Sequence, residues 1–171
     1  MKKALMVAHV AYAIELFNIP NIKLLISMGY EVQVACNFDD RSSLSDEKVA
    51  LLKEKLTAMG VKYHNMPFER QPIKPANLKA YRQLKNNKKK EKFDLIHCHT
   101  PVGGILTRLA AIKARKKNGT KVIYTAHGFH FFKGAPLINW LIYFTAEKLC
   151  SYFTDTIITI NKEDFANAEN K

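Results

Sequence analysis

Apolar runs of strand length alternate with helical patterns from one end of this chain to the other, and no other feature restricts its fold as much. The runs are "ALMVAHV", "EVQVACN", "VKYHNMP", "FDLIHCH", "KVIYTAH" and "DTIITIN". Between them, helical patterns cover roughly residues 12–28, 43–59, 77–90, 102–118 and 136–153. Gly29, Gly60 and Asn118-Gly119 stand where helices should stop. Pro20 lies inside the first pattern and predicts a break or restart there, because its ring and missing N–H disrupt the turn before it. Continuously apolar strands, each followed by a helix, belong in a parallel sheet covered on both faces. Right-handed crossovers then give a three-layer, doubly wound, Rossmann-like α/β domain with strand order 3-2-1-4-5-6. At 171 residues the chain suffices for one such domain, 1–171, and hardly for two.

The strand order gives the histidines meaning. His9 ends the first strand, His99 the fourth and His127 the fifth, and His130 follows in the next loop. Strands one, four and five are neighbours in the expected order. Ligands of open α/β sheets bind outside the carboxyl ends of the strands, where the order reverses. The stretch "YTAHGFHFFKGAP" therefore lies at the rim of a candidate site. The turn after the fourth strand offers an anion site. Thr100 suits an N-cap and Pro101 the first helical position. Gly103 and Gly104 leave the first turn bare, either for a ligand at its N–H groups or for close packing of helix on sheet.

Other chemistry is poorly served. The turn after the first strand holds neither G-x-G-x-x-G nor a P-loop. His97 and His99 share a strand face, but no carboxylate stands near to complete a metal site, and His97 reads as a core residue. No metal is expected. Cys98 faces away from both neighbouring histidines, no serine sits in a nucleophile elbow, and Asp39-Asp40 read as solvated. Three cysteines without paired spacing, and no secretory signal, suit reduced thiols in a cytoplasmic protein. No segment is long enough to span a membrane.

Two features ask for a partner. Half of the aromatic residues lie between Tyr124 and Phe153, and the helix from Pro136 is apolar on nearly every side. Such a helix is buried on both faces or meets a second domain or a membrane surface. The net charge of +12 is also concentrated: residues 70–121 carry fifteen Lys and Arg against Glu91 and Asp94. Many of these fall at helix carboxyl ends: Lys85, Lys88, Lys89, Lys90 and Lys92, then Lys113, Arg115, Lys116 and Lys117. That places them on the sheet edge opposite the histidines, as helix-end cations or as a contact to an anionic membrane. No basic-aromatic nucleic-acid motif accompanies them, so no nucleic acid is expected.

The segments "DLIHCHTPVGGILTRLAA", "KVIYTAHGFHFFKGAPLINWLIYFTAEKL" and "TDTIITINKEDF" closely resemble the amino-terminal half of family-4-type GT-B glycosyltransferases, especially bacterial enzymes of exopolysaccharide and capsule assembly. "FNIPNIKLLISMGYEVQVA" and "MPFERQP" resemble earlier parts of the same pattern. The resemblance implies two Rossmann-like domains facing each other across a cleft, with the acceptor held mainly by the first and the nucleotide-sugar by the second. It implies transfer with retention, without metal or cofactor, to an acceptor that is a saccharide, often lipid-linked. His127 matches the family's histidine beside the transferred sugar. His9, Arg70, His99, Thr100, Gly103, Gly104, Gly128, Phe129 and His130 are the expected substrate-binding set, Phe129 either shaping the pocket or packing beneath it and Arg70 either meeting an acceptor phosphate or standing as a plain surface arginine. His9-Val10-Ala11-Tyr12 departs from the glycine-rich turn of many relatives. With the donor half absent, the chain is expected to be inactive alone. The competing reading is a regulatory or scaffold domain that pairs with a separate catalytic chain.

Overall fold

The computed structural model describes residues 1–169; the side chains of Lys88, Lys89 and Lys90, part of the basic block, lie outside the description. Six strands form one sheet: β1 (Lys2–Val10), β2 (Tyr30–Asn37), β3 (Lys62–Asn65), β4 (Leu95–His99), β5 (Lys121–Ala126) and β6 (Thr156–Thr159). Their order is β3-β2-β1-β4-β5-β6 and every pair is parallel, as the alternation of elements predicts. Successive residues of a strand face opposite sides. In β1, Ala4, Met6 and Ala8 join one apolar core with Val34, Phe38 and Leu52, whereas Leu5 and Val7 join another with Ile96, Val122 and Tyr124. Pairing between β1 and β2 shifts register between Val7 and Val10, so the irregularity in β1 falls at Ala8 and His9.

The first helical segment bears out the reading of Pro20. Helix α1 (Ala11–Ala13) passes into a π turn (Ile14–Asn18), and α2 (Ile19–Ser27) restarts with Pro20 in its first turn. A widened turn absorbs the residue that cannot donate. The buried Asn18 amide donates to the Ala13 carbonyl at 2.9 Å and closes the gap in the ladder. Next come α3 (Asp46–Ala58), α4 (Pro75–Lys90) and α5 (Pro101–Asn118).

The expected helix over 136–153 is divided. It consists of α6 (Leu137–Asn139), a second π turn (Trp140–Phe144) and α7 (Thr145–Ser151). Trp140 and Phe144 each lie 5.4 Å from the Phe131 ring. The aromatic side thus packs on the domain, while Leu137, Ile138, Leu141, Ile142 and Leu149 stay exposed, Leu137 at 86%. Helix α8 (Lys162–Glu169) follows β6. Among the described residues no helix is long and apolar enough to cross a membrane.

The ends of α4 and α5 lead into β4 and β5, which puts the basic block on the amino-terminal sheet edge. Part of it is committed there: Arg115 and Lys121 both pair with Asp155, at 3.0 and 3.3 Å. Those contacts, with the backbone N–H of Val122, hold the Asp155 carboxyl down at about 2, the Arg115 hydrogen bond contributing most.

Candidate functional site

A cleft of about 370 Å³ opens at the carboxyl edge of β1, β4 and β5. His9, Arg70, Thr100, His127, Gly128 and His130 line it, with Pro72, Val102, Ile105 and Tyr143 as its apolar wall. Six of the residues expected from sequence are therefore brought together. His9 arrives from β1, Thr100 from the turn after β4, and His127, Gly128 and His130 from the loop after β5. Arg70 reaches the cleft from the segment between β3 and α4.

Thr100 holds the N-cap position of α5 as expected, but its side chain does not cap the helix. Its φ is +66° and its side chain makes no capping bond to α5. Pro101 demands an extended residue before it, and ψ of 148° meets that demand. The hydroxyl instead donates to the His99 carbonyl and accepts the His9 N–H at 3.3 Å, tying β1 to β4. A β-branched residue at positive φ costs about 1–3 kcal/mol and persists only where its surroundings hold it. Here the strained residue sits at the cleft floor.

The paired glycines serve packing. A Cβ on Gly103 would stand 2.9 Å from the Thr100 hydroxyl and 3.1 Å from the His9 nitrogen. One on Gly104 would stand 2.5 Å from the Tyr124 ring. Both glycines are buried and let α5 descend onto β1 and β5, so they hold the cleft's floor in place and do not line it. Phe129 is likewise beneath the site, stacked 4.6 Å from Phe131. Gly128 holds φ of +126°, which turns the loop sharply between cleft-lining His127 and core Phe129.

Behind His127 runs a row of imidazoles. The His97 and His99 rings are 4.2 Å apart, and those of His99 and His127 are 5.3 Å apart. His99 Nδ1 and His127 Nε2 share a hydrogen bond of 3.1 Å, and His97 Nε2 meets the Thr125 hydroxyl at 2.8 Å. His99 is almost wholly buried, so it supports the cleft from behind and does not line it. Burial, then the neighbouring imidazoles, lowers His97 to about 4 and His99 to about 2. Burial also lowers His127, and burial with the Arg70 charge lowers His9 against the pull of Asp40. The row is thus a set of neutral rings at physiological pH. Among the described residues no three His, Cys, Asp or Glu stand as a metal-holding group.

Several supporting residues lie outside the set expected from sequence. Phe17 lays its ring 4.7 Å from His127, and Tyr143 lies 4.6 Å from His130. Asp164, almost fully buried, accepts the Phe129 N–H at 3.1 Å. Glu163 accepts the Lys133 N–H at 2.8 Å, and Asn167 donates to the Phe131 carbonyl at 3.3 Å. Helix α8 therefore grips the loop that carries His127 and His130. The spacing Asn161-Lys162-Glu163-Asp164 is a capping-box variant, with Asp164 N–H donating to Asn161 Oδ1 at 2.7 Å, and was the available clue.

The family model for Glycosyltransferase Family 4 matches residues 22–167. The chain is 46% identical over 168 residues to EpsD of Bacillus subtilis (strain 168), whose name places it among glycosyltransferases; the match covers 98% of this chain and 40% of that protein. It is 36% identical over 76 residues, 44% of this chain and 19% of the other, to the UDP-Gal:alpha-D-GlcNAc-diphosphoundecaprenol alpha-1,3-galactosyltransferase of Escherichia coli. A solved UDP-N-acetylglucosamine 2-epimerase shares the fold with a TM-score of 0.64 at 18% identity, covering 100% of this chain and 44% of that one.

Proposed function

The chain belongs to glycosyltransferase family 4, and on that premise we propose that it is the acceptor-side half of a two-domain GT-B enzyme of cell-surface polysaccharide synthesis. The observation that carries this reading is the convergence of His9, Arg70, Thr100, His127 and His130 on one cleft at the switch point of the sheet. A neutral His127 suits hydrogen bonding to the hydroxyls of a transferred sugar. Arg70 suits a phosphate on the acceptor, and the wall of Pro72, Val102, Ile105 and Tyr143 suits a sugar face or the start of a lipid. The diphosphoundecaprenol in the name of the Escherichia coli relative supports a lipid-linked acceptor.

The donor side belongs to a second domain. A departing diphosphate needs several preorganised donors around it, and this cleft offers Arg70 and the start of α5. Transfer proceeds with retention and without metal or cofactor. The basic block at the amino-terminal sheet edge, helped by the exposed apolar residues of α6, the π turn and α7, holds the enzyme at an anionic membrane surface. Sedimentation with anionic but not neutral vesicles is expected; equal binding to both, or none to either at low salt, counts against that contact.

The test is turnover. The chain joined to its second domain should consume a nucleotide-sugar in the presence of a saccharide or lipid-linked saccharide acceptor, with EDTA present, and the 171-residue chain alone should not. Product from the 171-residue chain alone would overturn the half-enzyme assignment. No transfer by the joined protein from any nucleotide-sugar of a broad panel would overturn the function.

A further inference from the structure

We propose that His99 is a positioning residue that fixes the tautomer of His127, so that His127 presents Nδ1–H, and not Nε2–H, to a ligand in the cleft. His99 is 1% exposed, and its two ring nitrogens have different surroundings. Nδ1 faces His127 Nε2 at 3.1 Å, whereas Nε2 is buried with no hydrogen-bond partner. A neutral imidazole carries one proton. Placed on Nε2, that proton would be a buried N–H with nothing to receive it. Placed on Nδ1, it is used in the bond to His127, and only a lone pair is left unmet. Orphaned buried N–H groups are the rarer of the two in folded proteins. His99 therefore donates from Nδ1.

The consequence passes to the next ring. A nitrogen that accepts a hydrogen bond carries no proton, so His127 Nε2 is bare and its proton sits on Nδ1. Free imidazole side chains hold both forms in exchange. Here one of them is selected by a residue that does not line the cleft. The His97 ring lies 4.2 Å behind His99, and Thr125 holds His97 in turn at 2.8 Å. A ligand hydroxyl at His127 therefore meets a donor and must accept. That last step rests on the glycosyltransferase reading; the tautomer itself does not.

Long-range ¹H–¹⁵N correlation spectra of the histidine-labelled chain at neutral pH read the tautomer directly. His99 and His127 should both show a protonated Nδ1 and a bare Nε2. A His127 protonated on Nε2, or an equal mixture, would overturn the proposal. In His99→Phe the Nε2–H form of His127 should become the major one, and a His127 spectrum unchanged by this substitution would also overturn it. If that variant does not fold, His99→Asn keeps a donor near the Nδ1 position: a retained Nδ1–H form supports the proposal and its loss contradicts it. Failure of the joined enzyme to transfer sugar would sink the proposed function and leave this result standing.

Discussion

Two buried polar clusters lie back to back across β4 and β5, and they are built on opposite principles. On one face are His97, His99, Thr125 and His127. On the other, the wholly buried Arg108 of α5 pairs with Glu147 of α7 at 2.8 Å, lies 3.9 Å from the centre of the Tyr124 ring and donates to the Gly104 carbonyl at 3.2 Å. Tyr124 donates its hydroxyl to the same carboxylate at 3.2 Å. Burial is the largest single influence on Arg108 and opposes its charge, but Glu147 together with Cys150, Tyr124 and Cys98 outweighs it and the Arg108 pKa is raised; burial and Glu147 together push the Tyr124 phenol well up. The charged cluster is enclosed and pairs its charges internally, with Arg108 Nη1 left buried without a hydrogen-bond partner. The neutral row costs little to desolvate and ends at an open ring in the cleft. Burial of polar groups alone does not mark a site; a chain of them that terminates in solvent does.

Breaking the closed cluster should have the largest effect. Glu147→Ala leaves a guanidinium buried without a counter-charge, which costs about 3–5 kcal/mol. Denaturant melts should show that loss, and a variant within about 1 kcal/mol of the parent would mean that solvent reaches Arg108. The open row should respond in the other currency. In the joined enzyme, His127→Ala should lower kcat/KM about 100-fold, while stability falls by about 1–3 kcal/mol because the buried His99 Nδ1–H loses its acceptor. Parent-like activity would remove His127 from the site.

Acid sharpens the contrast at a smaller scale. His97 and His99 are held near 4 and 2 in the fold, against an ordinary 6.5. Below 6.5 the unfolded chain binds protons that the folded one refuses, so stability falls with falling pH. Two such groups remove about 2 kcal/mol between pH 6.5 and 5.5. His97→Asn should remove about half of that slope. A slope unchanged by the substitution would mean that His97 already binds its proton in the fold.

The sheet order and the gathering of His9, His99 and His127 were legible because both follow from local pattern plus one topological rule. Each histidine sits at the end of an apolar run, and parallel order does the rest. The uses of Thr100, Gly103 and Gly104 were not fixed by their own neighbourhood. Thr100 looks like a cap until the demand of Pro101 and the approach of β1 are known, and Gly104 answers to Tyr124, twenty residues on. Arg108 is indistinguishable in sequence from the other cations of residues 70–121 because its partner Glu147 is 39 positions away. Asp164 is hidden for the same reason, 35 positions from the N–H it receives. Long-range pairing, not composition, decided these roles.

The grip of α8 on the loop after β5 has a dynamic meaning. Phe129 and Lys133 have their amide hydrogens committed to Asp164 and Glu163, and Phe131 receives Asn167. The loop and the helix are therefore coupled, and the buried Phe129 amide cannot exchange with solvent much faster than α8 lifts away. The segment that presents His127 and His130 is only as rigid as a single eight-residue helix is firmly seated.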